Sequence, residues 1–163
     1  MGAVQVIQSH QVVVRVGELR LAQSGEVIVT YGLGSGVALV LYDPTLRIGG
    51  VLHAMLSGPS NGPTEAPAKF VDAGADALLK ELYAAGASRT RLLAAVAGGA
   101  TPTGGFMQTG TKNLNVLKKV LWKHGITQKG ADVGGKSVRA LTLDCMTGRC
   151  ESSTRDARTV LLP

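Results

Sequence analysis

Few residues in this chain could carry covalent chemistry, and their spacing narrows what that chemistry could be. The densest group is Gly32-Leu33-Gly34-Ser35-Gly36. A G-x-G-x-x-G phosphate loop would need its third glycine at position 37, which is Val, and a following helix whose N-terminus faces the phosphate. The chain instead continues into VALVLYD, an apolar, β-branched stretch. A nucleophile elbow centred on Ser35 would need glycine where Leu33 and Val37 stand. His10, His53 and His124 have no cysteine or carboxylate at ligand spacing, so neither a metal nor another cofactor is expected. Cys145 and Cys150 flank Thr147-Gly148. A two-residue hairpin loop would set the two cysteines opposite each other, about 4.5–5.5 Å apart at Cα and within disulfide reach. A bulged turn, which Gly148 also permits, would separate them. In a reducing compartment both read as structural thiols. A lone histidine in an apolar strand, such as His53, is usually a satisfied core residue, and Thr30 taken alone is an ordinary strand threonine.

The elements that must position these residues follow from hydrophobic period. Residues 11–16, 26–30, 37–42 and 48–55 are rich in Val, Ile and Leu and are predicted as strands. Asp43-Pro44 turns the chain between the last two. Their closeness in sequence predicts a meander or hairpins. Residues 57–69, SGPSNGPTEAPAK, are a loop long enough to cover a site. Residues 70–85 then form a helix with Val71, Ala75, Leu78, Leu79 and Leu82 on one face, closed by Gly86. A buried strand follows at 91–97, then a glycine-rich segment at 98–110. Thr111 is placed to cap a second helix at 112–124, whose apolar stripe is Leu114, Leu117, Val120 and Leu121. A strand at 138–145, a turn at Thr147-Gly148 and a returning strand complete the chain. Strands in runs with two inserted helices give an α+β or layered α/β sandwich, not a regular βαβ winding.

The chain has 163 residues, enough for one domain spanning 1–163 with a sizeable core, at 45% hydrophobic and 17% charged content. Its start has no basic segment followed by an apolar core, and its three longest uncharged runs, 27–42, 48–64 and 92–111, are each broken by Gly or Pro. A cytoplasmic protein without membrane insertion is the expectation. The net charge of +6 lies entirely in residues 111–163. That segment is either a solvated surface or a basic face for an acidic partner, protein or nucleic acid. Aromatic residues make up only 4%, which argues against reading nucleic acid by base stacking.

Six segments stand in order, VIVTYGLGSG, GGVLHAML, KFVDAGADALLKEL, AVAGGA, TGTKNLNVLKKVLWKHGI and DVGGKSVRALTLDCMTG, and together they resemble one family, the chemoreceptor glutamine deamidases called CheD. VIVTYGLGSG resembles the family's T-x-GLGSC stretch, and GGVLHAML its strand carrying H-x-x-L. KFVDAGADALLKEL is similar to its first helix, with Phe70 where Tyr is common. AVAGGA resembles its A-GGA turn, and TGTKNLNVLKKVLWKHGI its IG-x-RN helix region. DVGGKSVRALTLDCMTG resembles its D-x-GG-x-x-x-R…TG ending. Ser57 stands where the family often has Pro, and the loop after it has its own composition.

The resemblance implies a single-domain α/β/β layered sandwich of mostly antiparallel sheets with two principal helices. It also implies a Cys–His–Thr triad that hydrolyses receptor glutamine amides to glutamate. Thr30 and His53 match the family's Thr and His, whereas its nucleophilic Cys falls on Gly36, which has no side chain. Ser35 is adjacent, but neighbouring strand residues point to opposite faces, and an alcohol lacks the acidity of a thiol. The expectation is therefore a catalytically inactive relative that binds chemoreceptor cytoplasmic domains or a CheC-type chemotaxis phosphatase. One alternative is an active-family deamidase captured with its Cys substituted. Another is a basic nucleic-acid-binding module.

Overall fold

The computed structural model describes residues 10–58, 65–102 and 108–163. Among the described residues, ten strands, two helices and one 3-10 turn follow one another as β1 (His10–Val14), β2 (Glu18–Gln23), β3 (Glu26–Leu33), β4 (Val37–Asp43), β5 (Ile48–Ala54), the turn Pro67–Lys69, α1 (Val71–Ala84), β6 (Leu93–Gly98), α2 (Thr109–Lys123), β7 (Gln128–Val133), β8 (Arg139–Asp144), β9 (Cys150–Ser153) and β10 (Arg158–Leu162). The strands form two five-stranded sheets, ordered β1-β3-β8-β9-β10 and β2-β5-β4-β6-β7.

The sequence of β4 dictates the layering. VALVLYD is apolar on both alternating faces, and all seven residues are buried, so this strand has to sit mid-sheet and be covered on both sides. Val37, Leu39 and Leu41 pack with the helices, whereas Ala38, Val40 and Tyr42 pack against Ile28, Leu141 and Leu143 of the opposite sheet. The result is a three-layer stack of helices, sheet and sheet. α1 buries Val71, Ala75, Leu78, Leu79 and Leu82, the face expected from its period. Gly49 and Gly50 in β5 admit close neighbours from both layers: a Cβ on Gly50 would lie 2.5 Å from Leu78 Cδ1, and one on Gly49 would lie 2.6 Å from Leu143 Cδ2.

Pairing is mostly antiparallel, as expected, but the first strands are not a meander. β1 pairs with β3 in parallel, and β3 and β4 lie in different sheets. The reason is β2, a strand whose polar ends hid it: ELRLAQ crosses between the layers and becomes the edge partner of β5. The β4–β5 hairpin does form at Asp43-Pro44. Asp43 is fully buried there and accepts from the backbone of Thr45, Leu46 and Ser88 and from the Arg91 guanidinium at 2.8 Å.

The C-terminal hairpin settles the cysteines. Leu143 pairs with Cys150, and Gly148 N donates to Asp144 O at 2.7 Å, so Cys145 falls inside a longer turn. The two-residue alternative is thereby excluded. Both cysteines are buried free thiols, and burial pushes each up to about 12. α2 begins two residues before the expected Thr111 cap, after Gln108, with no side-chain cap. Of the expected cover loop over 57–69, residues 59–64 lie outside the described residues. No described helix is long and apolar enough to cross a membrane.

Candidate functional site

Thr30 ends the regular pairing of β3 with β8, and His53 lies near the end of β5 in the other sheet. Both are buried, at 0% and 1% exposure. His53 has Ala38 of β4 as its cross-strand neighbour, and a side chain no larger than Ala leaves the imidazole room between the sheets. Thr30 Oγ1 and His53 Nδ1 are 2.8 Å apart, and Thr30 Oγ1 also lies 2.7 Å from the carbonyl oxygen of Val14. A hydroxyl has one proton, and the carbonyl can only accept it. Thr30 therefore donates to Val14 and accepts from the Nδ1–H of His53. That fixes the tautomer, leaving Nε2 with its lone pair free.

Nε2 forms no hydrogen bond with any described residue. It faces position 36. A Cβ built on Gly36 would lie 3.4 Å from Nε2 and 3.6 Å from Cδ2 of the same ring. The structure thus brings Thr30, His53 and Gly36 together in the order hydroxyl, imidazole and glycine. Desolvation holds the His53 imidazole well below its ordinary value, at about 4, so the ring is neutral at physiological pH and able to accept a proton. The same Cβ would come within 2.8 Å of the Ala54 carbonyl oxygen, so the ends of β4 and β5 are drawn tightly around the glycine.

The turn that carries position 36 is held from outside. Gly34 O accepts from Ala100 N and Gly36 O from Gly99 N, each at 2.8 Å, and Ser35 O accepts from Asn113 Nδ2 at 2.9 Å. The N–H groups of Ser35 and Gly36 donate to no described residue. Gly98, with a φ of 101°, turns the chain so closely that any Cβ there would strike the Gly36 carbonyl. Behind it the 132–139 segment closes in. Gly134 N donates to Gly98 O at 2.9 Å, and Thr101 N donates to Gly135 O at 2.8 Å. Arg139, 7% exposed, braces that segment: its Nη1 donates to Gly134 O at 2.9 Å, and its Nε lies 3.2 Å from Asp132 Oδ2. Ser152 donates to the same Asp132 carboxylate.

The other candidates stand apart. Ser35 is half-buried on the turn, and Cys145 and Cys150 lie in a distant hairpin. His124 pairs with Asp76 at 2.8 Å on the helix layer. Among the described residues no cluster of His, Cys, Asp and Glu could hold a metal. Asn113 escaped the sequence reading. Its signal was available, since it occupies the buried stripe of α2 with Gly110, Leu117, Val120 and Leu121, a seat an apolar residue would ordinarily take.

Comparison with known proteins decides the affiliation. The family described as CheD chemotactic sensory transduction matches residues 55–154. A protein of Syntrophus aciditrophicus named "Probable chemoreceptor glutamine deamidase CheD 1" is 35% identical over 144 residues, covering 85% of this chain and 90% of its own. The chain belongs to the CheD family. A CheD relative from Thermococcus kodakarensis, named "Probable chemoreceptor glutamine deamidase CheD", is 40% identical over 144 residues, 85% of this chain and 89% of its own. The Thermotoga maritima protein named "Chemoreceptor glutamine deamidase CheD" is 37% identical over 138 residues, 84% of this chain and 87% of its own. The stretch matching the CheD family model starts two residues after His53, so the geometry around Thr30, Gly36 and His53 is independent of it.

Proposed function

We propose that this chain is a chemotaxis protein with a CheD deamidase scaffold that, as written, engages its target without hydrolysing it. The observation that carries this is the Thr30–His53 pair, whose free Nε2 faces a glycine. Amide hydrolysis by such a site needs a nucleophile. A carboxamide is a poor electrophile, so a thiolate would attack the glutamine carbonyl while an imidazole took the thiol proton. The same proton would go to the departing ammonia, and water would then cleave the thioester to leave glutamate. His53 and Thr30 would supply the proton chemistry, and the N–H groups of Ser35 and Gly36, which donate to no described residue, would receive the oxyanion. With no atom beyond hydrogen on the α-carbon of residue 36, the first bond cannot form.

On this reading the partners are the cytoplasmic segments of chemoreceptors and a CheC-type phosphatase, met in the cytoplasm by one domain spanning 1–163. The test incubates the purified chain and its Gly36→Cys variant with a receptor cytoplasmic fragment and follows ammonia. None is expected from the chain as written, and release is expected from the variant. Ammonia from the unmodified chain overturns the inactive reading. The Cβ of the new cysteine must push the Ala54 carbonyl by a few tenths of an ångström, so the variant is expected to lose about 1–3 kcal/mol of stability. Salt-sensitive retention on DNA or RNA would favour the nucleic-acid alternative instead.

A further inference from the structure

The two halves of the site lie on separate pieces of backbone: position 36 on the turn before β4, the base on β5. One side chain ties those pieces together from a third. Asn113 on α2 is 0% exposed, and its Nδ2 donates to Ser35 O at 2.9 Å and to Met55 O at 3.2 Å. Its Oδ1 accepts from the Ser57 hydroxyl at 2.9 Å. The amide orientation is forced, because both carbonyls can only accept and together consume the two Nδ2 protons. Ser35 directly precedes Gly36, and Met55 follows His53 by two residues.

From this geometry we infer that Asn113 is a positioning residue: it sets how far a side chain at position 36 stands from His53 Nε2, and Ser57 keeps its amide in register. Its place on α2 suits that task. The Gly34 and Gly36 carbonyls are anchored to Ala100 and Gly99 on one side of the turn. Asn113 adds a side-chain anchor between the turn and the end of the strand bearing the base, beyond the β4–β5 ladder that pairs Val37 with Ala54. Nε2 is 3.4 Å from a Cβ at position 36, so proton transfer from a sulfur there depends on tenths of an ångström. A buried asparagine that only satisfied carbonyls would affect stability and leave proton transfer alone.

The inference rests on the reading that position 36 is the nucleophile seat, and one experiment separates the two. In the Gly36→Cys protein, the rate of alkylation by iodoacetamide is measured against pH. Cys145 and Cys150 are buried and stay silent. A thiol paired with His53 reacts well below the pH at which an ordinary thiol does. If Cys introduced at 36 behaves as an ordinary thiol, the nucleophile-seat reading fails, and this inference falls with it. Given a low midpoint, Asn113→Ala in that background is expected to raise it by about one pH unit, a roughly tenfold slower reaction at pH values well below both midpoints. Ser57→Ala is expected to move it the same way by less. An unchanged midpoint in Asn113→Ala, with the protein folded, overturns the positioning role while leaving the seat intact. Should Asn113→Ala not fold, Ser57→Ala decides, and no movement there overturns the role equally.

Discussion

Thr30 and His53 belong to different sheets, and the 2.8 Å bond between Oγ1 and Nδ1 is a polar stitch across the interlayer core, as is the 2.7 Å bond that Tyr42 Oη donates to Cys145 O further along. The Thr30 stitch continues to the Val14 carbonyl at 2.7 Å, so one hydroxyl serves three strands. Thr30→Val keeps the shape and deletes the hydroxyl. Both Val14 O and His53 Nδ1–H are then buried without a partner, at a cost of about 1–3 kcal/mol. Urea unfolding checks this, with Thr30→Ser expected to retain most of the stability. A Thr30→Val protein as stable as the parent would show that the stitch holds nothing.

The buried imidazole makes stability depend on pH. An unfolded chain takes up a proton at His53 near 6.5, while the folded chain resists until about 4. Between those values the unfolded state binds more protons, so stability rises with pH. The contribution is whole above about pH 6.5 and is lost as pH falls toward 4, about 3 kcal/mol in all. Asp43 acts lower. Burial would raise it, but Arg91 and three backbone N–H groups together hold it below its ordinary 3.8, so its loss comes only at more acid pH. His53→Gln should flatten the dependence between about pH 4 and 6.5. Denaturant midpoints across that window give the answer, and an unaltered slope in the variant counts against a buried neutral ring.

Cys145 and Cys150 should be invisible to thiol reagents in the native protein. Both are 0% exposed and pushed up to about 12, so thiolate is scarce and access closed. Ellman's reagent is expected to count no fast-reacting thiol before unfolding and two afterwards, with no change on prior reduction. A rapid native reaction would mean that the C-terminal hairpin opens.

Trp122, the chain's single tryptophan, projects from α2 with 85% of its surface in water. Its native fluorescence should resemble that of the unfolded chain and be quenched readily by iodide. Trp122→Ala should change stability by no more than about 0.5 kcal/mol. A strongly blue-shifted native emission would mean that the indole is covered in solution.

The legible parts of the fold were those whose own sequence demanded burial. β4 is apolar on both faces and α1 carries a clean helical stripe, and neither has another way to hide that surface. β2 and β7 were not legible. The exposure of β7 alternates along QKGADV, a sequence with little strand preference, and its extended form comes from pairing with β6. The parallel partnership of β1 and β3 was equally hidden, since local sequence says that a segment is extended and not which neighbour it takes. Thr30, Gly36 and His53 were found through motif resemblance, because nothing local announces that residues 23 apart, Thr30 and His53, will bond across two sheets. Asn113 went unmarked because the helical period drew attention to the leucines around it.

Gly36 lies where any β-carbon would meet the Ala54 carbonyl at 2.8 Å. Some glycine and cysteine codons differ by one base, so the genetic distance back to a sulfur-bearing site is short. The structural distance is longer, because the strand ends must first spread. On the inactive reading, the one change that supplied a sulfur would strain the strand ends at the same time, so the backbone itself favours keeping the glycine.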